Sequence, residues 1–225
     1  MQRRTVLGAG AAAFLGGGAW FLSQGAKPGT TTFAPIGAAN AQEASDIDTS
    51  GVIEMVLGDA DAPVTITEYA SYTCPHCASF HANVMPQLKA NYIDTGKVRF
   101  IYREVYFDRF GLWASMVARC GGPLRYFGIQ DVLYSTQREW LDGSDPAKIV
   151  ENLRAIGRSA GVSDAELDTC FADEDMPRAM LAVYQKNAEA DAITSTPSLK
   201  VNDTKYGNMN YADLAELIDA ELPAE

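Results

Sequence analysis

Cysteine is scarce in this sequence, and basic side chains are too few to balance the acidic ones. Four cysteines among 225 residues cannot build a disulfide scaffold. Eighteen Lys and Arg stand against 29 Asp and Glu, a net charge of −11 that argues against nucleic acid or a lipid surface as the main ligand. Since 47% of the residues are hydrophobic, collagen, coiled coil and disorder are disfavoured, and we expect a globular protein.

The N-terminal residues 1–41 lack acidic side chains and follow the pattern of an export signal. The basic pair Arg3 and Arg4 precedes an apolar run over residues 5–22, and small residues lead to an Ala-x-Ala site ending at Ala41. Because this site lies 19 residues beyond the run, an uncleaved membrane anchor stays open beside a cleaved signal. The arginine pair suits a twin-arginine route or an ordinary signal. Both predict a periplasmic protein that meets the membrane only through this segment.

The rest of the chain alternates strands and helices in a thioredoxin-like order. Strands are predicted at 51–57, 64–72, 97–107, 197–201 and 204–206, with helices at 74–91 and 211–222. We predict an α/β domain over 42–225. Its thioredoxin core would comprise about 50–108 and 191–225, with an inserted helical subdomain over about 109–190.

The tetrad Cys74-Pro75-His76-Cys77 opens the first predicted helix. A helix N-terminus favours negative charge, so Cys74 should have a lowered pKa and react as a thiolate. Pro75 suits a first-turn position, where its missing N–H would have no partner. His76 adds a donor or partial positive charge beside the sulfur. Cys77, one turn later, should be more buried and act as the resolving thiol.

Two other interpretations of the tetrad are a zinc half-site and an inert bridge. Zinc needs four ligands, and the other candidates, Cys120, Cys170 and His81, are solitary. A disulfide across two intervening residues is strained and easily reduced, which disfavours an inert bridge. We therefore expect a redox-active pair, with no metal and no cofactor.

Glu68 is the only charge in an apolar series along the strand before the tetrad. Buried beneath the dithiol, it could relay the proton of Cys77. The alternative is a glutamate at a wet sheet margin. His81, four residues beyond Cys77, is interpreted as a solvated residue on the helix face.

Cys120 and Cys170 both fall in the helical subdomain. Each could be a buried free thiol. In an oxidising compartment a structural disulfide between them is favoured, with a stabilisation of roughly 4 kcal/mol.

The tetrad, its preceding strand, the helical block and a later Thr-Pro together resemble the DsbA family of exported thiol-disulfide oxidoreductases over about residues 50–222. The resemblance implies a thioredoxin fold with a helical insertion, with Cys74 as the exposed nucleophile. It also implies that Pro197 is a cis-proline beside the dithiol, that the Thr196 backbone pairs with an extended substrate, and that an acid stands at the offset of Glu68. Some alphaproteobacterial members of the family carry such a second disulfide.

The function expected from the tetrad and the resemblance is a monomeric dithiol oxidase. Its substrates would be folding exported proteins with free cysteines, and a DsbB-like, quinone-linked membrane protein would reoxidise it. The resemblance also leaves open a disulfide isomerase or reductase, because Thr196 is more usual in related isomerases. A third alternative is a non-redox binding protein with a static Cys-x-x-Cys.

Overall fold

A computed structural model describes residues 47–223, which form a five-stranded mixed sheet and nine α-helices. The strands lie in the order β1-β3-β2-β4-β5, and only the β2–β3 pair is parallel. The strands are β1 (Met55–Leu57), β2 (Val64–Ala70), β3 (Val98–Glu104), β4 (Ser198–Val201) and β5 (Thr204–Tyr206). The predicted thioredoxin-like α/β fold with a helical insertion is confirmed.

The central strand β2 ends where the site begins. Its β-branched and aromatic residues are buried on both faces, as is typical of a strand flanked by neighbours and covered by helices. Because β2 and β3 run parallel, the chain must cross over between them, and the connection contains α1 (Pro75–Asn83) and α2 (Met85–Leu88).

The predicted helix 74–91 is interrupted rather than continuous. Helix α1 ends at Asn83, α2 follows after Val84, and a π-helical turn covers Lys89–Ile93. Pro86 accounts for the break, because its ring occupies the backbone nitrogen that would bond to the preceding turn.

Six helices between β3 and β4 make up the helical block, and a last helix closes the chain. They are α3 (Arg109–Cys120), α4 (Pro123–Ser135), α5 (Gln137–Trp140), α6 (Pro146–Ser159), α7 (Asp164–Ala172), α8 (Asp175–Ala190) and α9 (Tyr211–Glu221). A capping box between Ser163 and Glu166 begins α7, as its sequence indicates. The fully buried Ile129, Leu133 and Leu153 belong to one continuous core that also includes sheet residues.

A buried ion pair fastens this block to the sheet. Glu104, at the end of β3, accepts hydrogen bonds from Arg119 Nε and Nη2 at 2.8 and 2.7 Å and from the Tyr126 hydroxyl at 2.7 Å. Separating these partners would leave a buried charge without a counter-charge, which is strongly unfavourable. The contact therefore holds α3 and α4 in place over the sheet.

The predicted export signal or anchor of residues 1–41 lies outside the described residues. Within 47–223, no helix combines the length and the apolar character needed to cross a bilayer.

Candidate active site

The tetrad lies at the turn between β2 and α1. Cys74 is the N-cap residue of α1 in an extended conformation, and Pro75 is the first helical residue. Cys74 is 8% exposed and Cys77 is fully buried, whereas the side chain of His76 faces solvent. One sulfur is thus within reach of a partner and the other is sealed beneath it.

The two sulfurs differ sharply in acidity. A hydrogen bond from the Cys77 side chain is the main cause that lowers the pKa of Cys74 to about 5. Burial opposes this shift, whereas hydrogen bonds with the Thr196 side chain and with the N–H groups of Cys77 and His76 add to it. Burial raises the pKa of Cys77 far above the ordinary thiol value, and the hydrogen bond with Cys74 and the charge of Glu68 add to this. At neutral pH Cys74 is therefore a thiolate and Cys77 a thiol.

The loop before β4 faces Cys74. The Thr196–Pro197 peptide bond is cis, and the Cys74 thiol, when protonated, donates to the Thr196 carbonyl oxygen over 3.6 Å. Residues 122 positions apart in sequence therefore form one face around the reactive sulfur.

Glu68 is completely buried, between Tyr102 of β3 and Leu199 of β4, and its charge acts on the Cys77 thiol. The interpretation of His81 as a solvated residue is wrong. Its side chain is 4% exposed, and its Nε2 lies 2.9 Å from Glu68 Oε2. A buried carboxylate requires a hydrogen-bond partner. His81 can reach Glu68 because it lies four residues after Cys77 and shares the buried face of α1 with it.

Gln137 is a site residue that the sequence did not indicate. It is buried at the start of α5, and its Nε2 donates to the carbonyl oxygens of Tyr72 and Cys74 at 2.8 and 3.0 Å. On the other side of the same loop, Thr73 donates to Asp108, the N-cap of α3, at 2.8 Å. The helical block therefore holds the backbone on which Cys74 stands.

Replacing Gln137 with alanine is expected to destabilise the protein by about 2 kcal/mol, because the buried Tyr72 carbonyl loses its donor. The Cys74 carbonyl keeps the Ala78 N–H as a donor. The free energy of unfolding, measured by denaturant titration, checks this value. Gln87→Ala is the matched control, since Gln87 is exposed and its Nε2 also bonds a backbone carbonyl, that of Asn83, at 2.9 Å. Equal losses in the two variants would contradict the role given to Gln137.

The other two cysteines form a disulfide remote in sequence from the tetrad. Cys120 ends α3 and Cys170 lies in α7, with their Cα atoms 6.0 Å apart. In the part of the chain that the structure describes, no group of three or more His, Cys, Asp or Glu side chains could hold a metal ion.

The sequence is similar to a known protein family and to proteins named for disulfide chemistry. The family model described as thioredoxin matches residues 50–220. A Rickettsia bellii relative, named as a protein-disulfide oxidoreductase, is 34% identical over 75% of this chain and 64% of its own length. A Bacillus cereus relative, named as disulfide bond formation protein D, is 30% identical over 74% of this chain and 77% of its own length.

A solved structure gives the same picture. The crystal structure of Wolbachia pipientis alpha-DsbA1 is similar with a TM-score of 0.67 and 27% identity, over 74% of this chain and 89% of that one. The chain spans less than two thirds of the length of the Rickettsia relatives, 64% in the case of R. bellii.

Proposed function

Because this chain belongs to the DsbA family of thioredoxin-fold proteins, we propose that it is a thiol-disulfide oxidoreductase that introduces disulfides into exported proteins. The observation that carries the proposal is the opposite displacement of two neighbouring thiols, with the pKa of Cys74 lowered to about 5 and that of buried Cys77 raised. A stabilised Cys74 thiolate favours the reduced protein, so the Cys74–Cys77 disulfide is readily given up to a substrate.

The reaction begins with the oxidised pair. A substrate thiolate attacks Cys74 Sγ, the Cys74–Cys77 bond breaks, and Cys77 leaves with the electron pair. A second substrate thiolate then attacks the substrate sulfur of the mixed disulfide, and Cys74 leaves as a stable thiolate. The substrate loses two electrons and gains a disulfide, while the protein ends as the dithiol.

Glu68 handles the proton that accompanies this exchange. Cys77 leaves as a thiolate in a buried setting that favours the thiol, so it must take up a proton. The completely buried Glu68 carboxyl group is proposed to supply that proton and to accept it again on reoxidation.

Thr196 and Pro197 are proposed to bind the substrate backbone. The contact between Thr196 and Cys74 supports this role, because a segment passing the sulfur would meet the backbone of this loop. Main-chain pairing of this kind binds extended segments with little regard to sequence, which suits an enzyme with many unfolded substrates.

The cellular setting remains part of the proposal. Residues 1–41 would direct the chain to the periplasm as a signal or anchor, and residues 42–225 would be the working domain. Within it the thioredoxin core of about 50–108 and 191–225 would carry the dithiol, and the insertion of about 109–190 would support it. A DsbB-like, quinone-linked membrane protein would reoxidise the dithiol.

The proposal is tested by mixing the oxidised protein with a reduced peptide that has two cysteines. We expect stoichiometric formation of the peptide disulfide, with one equivalent of protein dithiol produced. Efficient reshuffling of scrambled ribonuclease by the reduced protein would instead indicate the isomerase, for which Thr196 is the supporting residue. A peptide that stays reduced, together with no reshuffling of scrambled ribonuclease, would exclude both enzymes and leave a binding protein with a static pair.

A further inference from the structure

The Glu68–His81 pair connects the buried sulfur to an open groove. His81 follows Cys77 by four residues on α1, so both side chains lie on the helix face that packs against the sheet. Its Nε2 is 2.9 Å from Glu68 Oε2, and the two side chains are 4% and 0% exposed. His81 is therefore an inner residue in contact with the carboxylate that serves Cys77.

Both members of the pair retain an unused atom. Among residues 47–223, the buried Glu68 Oε1 and His81 Nδ1 have no hydrogen-bond partner. The carboxylate can thus accept a proton at Oε1 while Oε2 is bonded to the imidazole. The imidazole can likewise exchange a proton at Nδ1 while Nε2 is bonded to the carboxylate.

The far side of His81 borders a groove between α1–α2 and α4–α5. The groove has a volume of about 1080 Å³, and Pro75, Phe127 and Asp131 also line it. The Tyr134 ring stacks on His81 with 4.1 Å between centroids and covers part of it. His81 thus lies between the sealed carboxylate and the groove.

The titratable groups around His81 come from every element packed against it. They are Glu68 on β2, Cys77 on α1, Tyr102 on β3, Asp131 and Tyr134 on α4, and Lys89, Arg138 and Glu139, which line the same groove. Burial raises the pKa values of Tyr102 and Tyr134, so both phenols stay neutral at working pH. His81 lines the groove and contacts Glu68, whose charge raises the pKa of Cys77, so these two residues link the groove to Cys77.

We propose that His81 is a positioning residue that transfers protons between the groove and Glu68, and so controls the protonation of Cys77. When the Cys74–Cys77 bond breaks, a proton passes from the Glu68 carboxyl group to the Cys77 sulfur. His81 restores it to Glu68 from Nε2 and takes up a proton at Nδ1. Because Nδ1 is buried, this uptake requires the His81 ring to turn toward the groove. Reoxidation runs the same transfers backwards. This inference rests on the proposed function, because it concerns the fate of the Cys77 proton in that reaction.

The test uses the reduced full chain and an aromatic disulfide whose released thiolate is coloured. The first release reports attack by Cys74, and the second reports attack by Cys77 on the mixed disulfide, which requires Cys77 to lose its proton. In His81→Gln we expect the second release to be slower by about tenfold near pH 6–7. This is smaller than the 10²–10⁴-fold rate effect typical of a positioned proton-transfer group, because Glu68 remains. The first release should change by less than about twofold, and the difference in the second should vanish as hydroxide takes over at high pH.

Glutamine separates a proton relay from a structural contact. The glutamine amide can still donate a hydrogen bond to Glu68, but it cannot accept a proton on one atom and release one from another. If His81 were only a structural contact, His81→Gln would therefore show a second release as fast as that of the wild type. Tyr134→Phe is the matched control, because it keeps the ring against His81 and removes only the hydroxyl that meets Tyr102. If His81→Gln fails to fold, His81→Ala with added imidazole replaces it, and recovery of the second release supports the relay.

Three results would overturn the inference: a second release as fast as in the wild type, an equal slowing of both releases, or no recovery of His81→Ala with imidazole. Failure of the proposed function looks different, because the wild type itself would then not oxidise a dithiol peptide.

Discussion

Cys74→Ala is expected to abolish dithiol oxidation, whereas the Cys77→Ala protein should react once through Cys74 and stop at the mixed disulfide. Cys74 is the partly accessible sulfur with a pKa of about 5, and Cys77 is fully buried. Without Cys74 no mixed disulfide can form, and the rate should fall to that of the uncatalysed exchange. Without Cys77 the mixed disulfide cannot be resolved within the protein, so it should accumulate.

Mass spectrometry under acid quench distinguishes the two variants. A substrate peptide whose single cysteine is held in a mixed disulfide with an aromatic thiol should become linked to Cys74 in Cys77→Ala, with release of the aromatic thiolate. It should not be captured by Cys74→Ala. The wild type, treated in the same way, should release the peptide through Cys77. Residual oxidation of a dithiol peptide by Cys74→Ala would show that the reactive sulfur has been wrongly assigned.

Removing the Cys120–Cys170 disulfide is expected to lower the free energy of unfolding by up to about 4 kcal/mol, the chain-entropy value for a loop of this length. The bond joins α3 to α7 across 50 positions of sequence, so it restricts the unfolded chain over most of the helical block. Denaturant unfolding of Cys120→Ala/Cys170→Ala measures the loss. The rate of attack by Cys74 should stay the same, because this disulfide lies outside the dithiol site.

The single variants provide the control for this disulfide. Cys120→Ala and Cys170→Ala each break the same bond, so each should lose about as much stability as the double variant. A double variant as stable as the wild type would contradict a stabilising disulfide. A loss equal to the sum of two independent single losses would indicate that packing of the side chains dominates.

Local patterns in the sequence predict the elements that carry the site. The alternating residues of β2, the proline after Cys74 and the Ser163–Glu166 capping box each specify structure through neighbours a few positions away. The thioredoxin-like order of strands and helices along the chain and the family resemblance follow from these elements, and both are confirmed.

Contacts between distant residues were the ones that the sequence did not reveal. His81 was assigned to solvent because a lone helical histidine carries no sign of what it faces. The lone charge Glu68 was a usable signal, since a carboxylate inside a sheet requires a partner and His81 is one helical turn beyond Cys77. Gln137 carried no signal, because its bond to the Tyr72 carbonyl spans 65 positions and glutamine is usually exposed.

The central claim is that the protein holds Cys74 as a thiolate, and an ultraviolet absorbance titration of the reduced protein tests it most directly. Thiolate absorbs where thiol does not, so absorbance against pH gives the pKa, and Cys74→Ala removes the transition that belongs to Cys74. We predict a midpoint at about 5, with Cys77 still protonated through neutral pH. A midpoint near the ordinary thiol value of about 8.5 would contradict a stabilised thiolate and with it the strongly oxidising disulfide.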